Sequence, residues 1–287
     1  MGEISIDPKF NIHETYKKVR ILNPYRNGTA PAQGSYLLDT YPAAVAWSLR
    51  KLSGGYTGAA IRVRRSSDDV EQDIGFNGND LDEAALLNFV GAGNGLVTTI
   101  YDQAGAGLNF TQTDPTKQGR IVNSGSLNTL NGKPIILRSL NDSGGYISDY
   151  QTIDGVTVKG FFYIGNNNNQ TGIIFGSNSG GRDYGYMSQS GSNDGRVNSN
   201  PIVSNEKLNG TSWTYTTRGD LYTDTINQFL LSIEINFNFG DNRFSLGYRY
   251  VSPAGLGMYS FQELIIFANT TDHLDKENKI NSYYSIY

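Results

Sequence analysis

The sequence has no cysteine among its 287 residues and only two histidines, His13 and His273. Disulfides, thiolate catalysis and cysteine-ligated zinc are therefore excluded. Two histidines so far apart in sequence give no histidine-rich metal site, and no cofactor is expected. Charge is scarce too, at 17% of residues, with a net charge of −4. A chain without a basic excess lacks the electrostatic footprint of a nucleic-acid or anionic-membrane binder. No run of 18 apolar residues exists to span a bilayer, so membrane insertion is not expected. The opening MGEISIDPKF has no apolar stretch of the signal-peptide kind. Ile6 stands where a myristoylation site has Ser or Thr. These absences lead to the expectation of a chain made in a cytoplasm and leaving it by lysis or within a larger particle.

What is present points to a packed fold. Hydrophobic residues make up 38%, with 19 tyrosines and 13 phenylalanines, enough for a real core. The 34 glycines, with many Asn and Ser, suit frequent turns between short strands. Residues 1–37 are polar, carry Pro8, Pro24 and Pro31, and end in NGTAPAQGS. They read as an N-terminal arm with one short strand at 17–22. If the arm docks on a partner, Tyr16, Ile21, Leu22 and Tyr25 are its anchors.

A helix is expected after Pro42, with Val45, Leu49 and Leu52 on one face and Gly54-Gly55 ending it. AIRVRR (60–65) alternates as a strand. LDEAALLNFV (81–90) is expected to be a helix capped by Asn79 or Asp80 and stopped by Gly91. LVTTIYD (96–102) is β-branched and reads as a strand. From about 133 strands dominate: PIILRS, VTVKGFFYIG, GIIFGS, FLLSIEINFNF, RFSLGYRY and QELIIFAN. In FLLSIEINFNF, Leu231, Ile233, Ile235, Phe237 and Phe239 share one face, read as core. Ser232, Glu234, Asn236 and Asn238 share the other, read as wet. The last segment reads as a helix docked by Leu274, Ile280 and Tyr284.

From Ala43 to Thr111 run the helix-strand order, the RRSSDD turn and the IYDQ-x-G-x-G segment. This stretch resembles the opening of the α-L-arabinofuranosidase B catalytic domain, a concanavalin A-like sandwich of glycoside hydrolase family 54. The same block is similar to virion proteins of tailed phages, and the ending QELIIFANTTDHLDKENKINSYYSIY resembles the closing strand and helix of their lectin-like domains. The implied fold is a mostly β, concanavalin A-like jelly-roll sandwich over 38–287, with a few short helices and an extended N-terminal arm. The implied activity is glycoside hydrolysis by two carboxylates on one concave face. Aligning on Tyr163 and Gly165 places Gly160 or Lys159 at the family's nucleophile position, and neither can attack an anomeric carbon.

Other carboxylates could serve, Glu234 and Asp183 foremost. Glu234 is equally readable as part of a solvated strand face, and Asp102 as a carboxylate that caps the AGAG loop. Sugar binding needs aromatic rings and short polar side chains, and three loops supply both: 166–170, 177–194 and 211–220. Trp213, Tyr215, Tyr184 and Tyr186 are the candidate rings, with Arg182, Asp183 and Asn167 as polar partners. Exposed turns or subunit contacts would use the same residue types. RVRRSSDD reads as arginines paired with Asp68 and Asp69. The leading expectation is a non-enzymatic phage virion protein, on capsid or tail. It would dock on other virion proteins through its arm, assemble as a homo-oligomer and touch host glycans. The alternative is an arabinofuranosidase-type hydrolase of cell-surface polysaccharide.

Overall fold

The computed structural model describes residues 36–137, 146–148, 157–168, 172–179, 182–188, 191–192, 203–214, 216–238, 244–246 and 257–287. The arm anchors Tyr16, Ile21, Leu22 and Tyr25 and the 17–22 strand lie outside these. The principal elements are α1 (Leu37–Thr40), β1 (Val45–Ser48), β2 (Ile61–Arg65), β3 (Glu71–Ile74), α2 (Glu83–Val90) and β4 (Gly95–Ile100). Next come β5 (Phe110–Thr111), β6 (Gly119–Asn123), β7 (Tyr146–Ser148), β8 (Thr157–Asn166), β9 (Gly172–Ser179) and β10 (Arg182–Ser188). Last are β11 (Val203–Leu208), β12 (Thr211–Ser212), α3 (Arg218–Asp224), β13 (Phe229–Asn238), β14 (Phe244–Leu246), β15 (Ser260–Phe267) and α4 (His273–Tyr284).

The principal strands form two sheets in which they pair antiparallel. One has the order β1-β15-β8-β13-β11-β12, the other β10-β9-β14-β7-β5-β4-β2-β3, with β6 also paired to β4. Long alternating strands make the first sheet. Phe161, Tyr163, Leu231, Ile233, Leu264 and Ile266 point inward to a core shared with Ile61, Val63, Val97, Ile100 and Phe110 of the second. Each large side chain taken fully from water contributes about 1.5–3 kcal/mol. The protein is thus the mostly β sandwich that the turn-rich composition predicts.

Much of the described outward face of the first sheet is covered, while Asn236 and Asn238 have side chains outside the described residues. Phe162, Ile164, Leu230, Ile265 and Phe267 form a second core with Leu37 and Leu38 of α1 and Ile280 and Tyr284 of α4. Ser232, expected in solvent, is fully buried beneath α4. A pattern of apolar against polar residues cannot tell a wet face from one that meets a polar helix face. Leu274, expected to dock α4, is instead 57% exposed. His273, Lys276 and Glu277 take the buried positions beside Ile280 and Tyr284.

The segment expected to be a helix from Pro42 holds strand β1, with Val45 paired to Ile266 and Ser48 to Glu263. All four β1 residues are buried. Val45 and Trp47 enter the main core and Ala46 the second. A strand covered on both faces loses its period of two, and the chance spacing of Val45, Leu49 and Leu52 then imitates a helix. Trp47 stacks on Phe110 with ring centroids 4.1 Å apart and donates Nε1–H to the Leu108 carbonyl at 2.7 Å. Helix α2 forms as expected, but Asp82 caps it, accepting from Ala85 N at 2.9 Å. Gly91 ends it at φ 63°.

Asp102 organises the loop after β4, as the loop-capping reading has it. Its Oδ1 accepts from Ala46 N at 2.9 Å and Ala104 N at 3.0 Å, and its Oδ2 from Gly107 N at 3.0 Å. Arg64 and Arg65 pair with Asp69 and Asp68, whereas Arg62 reaches across the ladder to Asp73 at 2.7 Å.

Helix α4 is fastened by a buried ion pair. Arg50 grips Glu263 in a bidentate bridge, Nε to Oε2 at 2.7 Å and Nη2 to Oε1 at 2.9 Å. Ser48 Oγ donates to the same Oε2 at 2.7 Å and Tyr284 OH at 3.3 Å. The Arg50 guanidinium lies 4.5 Å from the Tyr283 ring centroid, and Lys133 Nζ lies 4.0 Å from the same centroid. Burial alone would lower the guanidinium's pKa, but Glu263 outweighs it and holds it above its ordinary value.

Candidate functional site

One edge of the first sheet departs from regular pairing. Between β11 and β13 the register runs Ser204 to Glu234 and then Lys207 to Ser232, so Asn205 and Glu206 form a bulge. Asn205 takes φ 52°, a left-handed conformation that Asn tolerates better than most side chains. Bulges re-aim side chains and gather at sheet edges and active sites. Here the Asn205 amide turns to Glu234, Nδ2 to Oε2 at 2.8 Å.

The hairpin that follows is written in the sequence. Asn209-Gly210 lies between the paired Leu208 and Thr211, with φ 52° and 74°. Two positive φ values define the tight turn that Asn-Gly favours. The turn lays Trp213 beside the bulge, and Trp213 N donates to the Glu206 carbonyl at 2.9 Å. The half-buried indole packs on the main core and donates Nε1–H to Asp224 Oδ2 at 2.8 Å. Asp224 is exposed.

Asp224 ends α3, a single short helix. Thr217 and Asp220 begin it with a reciprocal capping box, Thr217 Oγ1 accepting from Asp220 N at 3.1 Å and Asp220 Oδ2 accepting from Thr217 N at 2.9 Å. The backbone N–H of Thr216, then that of Thr217, hold the Asp220 carboxyl below its ordinary pKa. The helix packs against β10. Its inner side is anchored by Leu221 and by the wholly buried Asn167 and Thr225.

A second polar group lies on the outward face under α4. Ser232 Oγ is 2.6 Å from His273 Nε2 and donates to Glu277 Oε2 at 3.1 Å. With the hydroxyl proton given to Glu277, Nε2 carries the ring proton and Nδ1 is the bare nitrogen. Nδ1 is buried without a hydrogen-bond partner. Lys207 Nζ and Tyr287 OH also reach Glu277, at 3.4 and 3.0 Å. Burial pulls the His273 pKa down, outweighing the nearby Glu234 and Glu277, while Lys207 and Lys276 add to the fall. This seryl-histidyl pair is sealed from solvent, so it is a fastening and not a nucleophile.

The sequence-expected residues separate accordingly. Trp213 stands at the edge, and Glu234 is half-buried on the outward face of the same sheet. Arg182, Asp183, Tyr184 and Tyr186 fall on β10, the strand that α3 packs against, with their side chains outside the described residues. Tyr215 also lies outside the described residues. Asn167, expected to touch sugar, is fully buried and its amide is spent on α3. Glu234 and Asp183 stand in different sheets, so they do not share one sheet face. Gly160 is buried opposite Glu234 and Phe267. A Cβ there would lie 3.4 Å from the Asn269 carbonyl and 3.5 Å from His273 Nδ1. Gly160, one of the two positions aligned to the family nucleophile, is therefore covered by the chain around α4, whereas Lys159, the other, is half-buried. Sequence reasoning missed Asp224 and Glu206. The Asn-Gly turn was the signal that places Glu206 opposite Trp213, whereas nothing local links Trp213 to Asp224.

At this edge of the β-sandwich an indole and an exposed carboxylate stand together. The chain belongs to the family of the α-L-arabinofuranosidase B catalytic domain, whose family model matches residues 36–211, more than half of the sequence. Among solved structures it is similar to a GH54 α-L-arabinofuranosidase soaked with a cyclic sulfate inhibitor, at 17% identity and a TM-score of 0.49. It is similar also to an arabinofuranosidase complexed with arabinofuranosyl-α-1,2-xylobiose, at 18% identity and 0.44. These matches cover 85% of this chain and 63% and 62% of the two structures, so the chain spans under two thirds of their length. A search of curated proteins finds no match. The expectation of a non-enzymatic phage virion protein is corrected by the family match, which places the chain in a family of glycoside hydrolases.

Proposed function

We propose that this protein is a glycoside hydrolase of the arabinofuranosidase type, acting on arabinose-containing or related polysaccharide. The observation that carries the proposal is the family match over residues 36–211. Hydrolysis of a glycosidic bond requires two carboxyl groups, one as acid and one as nucleophile or base. The edge offers Asp224 beside Trp213 and Glu206 in the bulge, and Glu234 stands on the outward face of the same sheet. Asp224 and Glu234 are held by neutral donors, the Trp213 indole and the Asn205 amide. A neutral donor orients a carboxylate without pairing it with a charge. Trp213 supplies the apolar surface on which a sugar face stacks.

The test is release of 4-nitrophenol from 4-nitrophenyl α-L-arabinofuranoside, with Glu206→Gln, Asp224→Asn, Glu234→Gln and Asp183→Asn compared. Loss of a catalytic carboxyl lowers kcat by about 10²–10⁴, and two of the four variants are expected to show it. No turnover by the wild-type protein of either the aryl glycoside or an arabinan would defeat the proposal.

A further inference from the structure

We infer that Asn167 is a positioning residue that sets the Trp213–Asp224 pair from behind, through helix α3, without touching substrate. The inference rests on the reading of that pair as the sugar-engaging edge. Asn167 follows β8 directly and is wholly buried. Its Nδ2 donates to the Tyr222 carbonyl at 2.6 Å and to Thr225 Oγ1 at 3.2 Å, and its backbone N–H donates to the Thr225 carbonyl at 2.9 Å. The neighbouring Asn166 donates Nδ2–H to the Ile226 carbonyl at 3.3 Å.

Thr225 is the hub of this anchor. Its hydroxyl donates to the Leu221 carbonyl at 2.6 Å and lies 3.0 Å from Tyr259 OH. With its one proton committed to Leu221, Thr225 Oγ1 accepts from both Tyr259 and Asn167. The last turn of α3 is thereby tied to the end of β8 and to the residue before β15. Asp224 belongs to that turn and lies one residue from the hub, on the exposed side. A helix of seven residues does not hold itself together in water, so its pose, and with it the pose of Asp224 under the indole, is set by these ties. The buried amide, and the half-buried indole with its exposed carboxylate, are the two ends of one lever.

The test uses Asn167→Ala and Thr225→Val, which cut the anchor, and Thr225→Ser, which keeps the hydroxyl. The chain has two tryptophans, and Trp47 is fully buried. Acrylamide quenching of the emission component lost in Trp213→Phe therefore reports the edge alone. Both cutting variants are expected to raise the quenching of Trp213 and to raise KM for 4-nitrophenyl α-L-arabinofuranoside about tenfold, a cost of about 1.4 kcal/mol. Where Asp224 is one of the two catalytic carboxyls kcat falls as well, and Thr225→Ser behaves as wild type. If Asn167→Ala fails to fold, Thr225→Val decides. Unchanged Trp213 quenching in a cutting variant that still melts cooperatively overturns the inference. An inactive wild-type protein would remove the hydrolase reading alone, and the quenching measurement would still settle whether Asn167 sets the edge.

Discussion

Replacing Arg50 by Met isolates the cost of a buried charge in this fold. Glu263 is entirely buried and Arg50 is its only cationic partner within salt-bridge distance among the described residues. In Arg50→Met the carboxylate keeps two hydroxyl donors, Ser48 and Tyr284, and loses both guanidinium bonds. Breaking a buried pair by removing one partner costs about 3–5 kcal/mol. Tyr283 and Tyr284 also lose a guanidinium 4.5 and 5.4 Å from their ring centroids, an effect of about 0.5–2 kcal/mol. For a domain of this size each kcal/mol moves Tm by about 2–4 °C, so a fall of about 7 °C or more is expected in a thermal melt. The double variant Arg50→Met/Glu263→Leu removes the stranded charge. It leaves the Ser48 and Tyr284 hydroxyls without their acceptor, at about 1 kcal/mol each, and is expected to be more stable than the single variant. Urea titrations of the wild type, the single variants and the double variant measure this coupling. A cost below about 1 kcal/mol for Arg50→Met, or a double variant whose loss equals the sum of the singles, would refute the reasoning.

Two further outcomes follow from the same ties. His273 has a folded pKa below its ordinary 6.5, so the unfolded chain binds the proton more readily. Stability is therefore full above about pH 6.5 and falls as the pH drops through 6.5 toward the lower folded value. His273→Gln should flatten that part of a Tm-against-pH profile, and an unchanged slope would count against the buried neutral imidazole. Asp102→Ala removes the acceptor of three backbone N–H groups. It should cost about 2–4 kcal/mol in urea unfolding, and faster amide exchange at Ala46, Ala104 and Gly107 would locate the loss.

Residues 157–166 and 229–238 were legible as strands because long runs of large apolar and β-branched side chains leave little alternative. Trp213 was read as a ring in the polar, turn-rich loop 211–220, with nothing local to place it at a sheet edge. Val45–Ser48 was not legible, because burial on both faces erases the alternation that marks a strand. The polar face of β13 misled for the opposite reason, since Ser232 and Glu234 look wet until His273 and Glu277 arrive from more than forty positions along the chain. The carboxylate of the edge was hidden although it lies only 11 positions from the indole. Asp224 meets Trp213 only because Asn167 and Thr225, buried and polar, hold α3 in place. Composition cannot distinguish such residues from those of exposed loops.

Strand β15 lies between β1 and β8, pairing Ile266 with Val45 on one side and with Phe161 on the other. A ribosome therefore delivers both neighbours long before the strand that joins them. Until Ser260–Phe267 emerges, β1 and the open flank of β8 carry unsatisfied ladder groups and apolar faces, a template for pairing with other chains. The first sheet must close after nearly all of its sequence has been synthesised. Assembly of this sandwich is consequently a late, long-range event, slow by the measure of contact order. Translation speed and chaperone capacity should govern its yield on expression more than the sum of its interactions once folded.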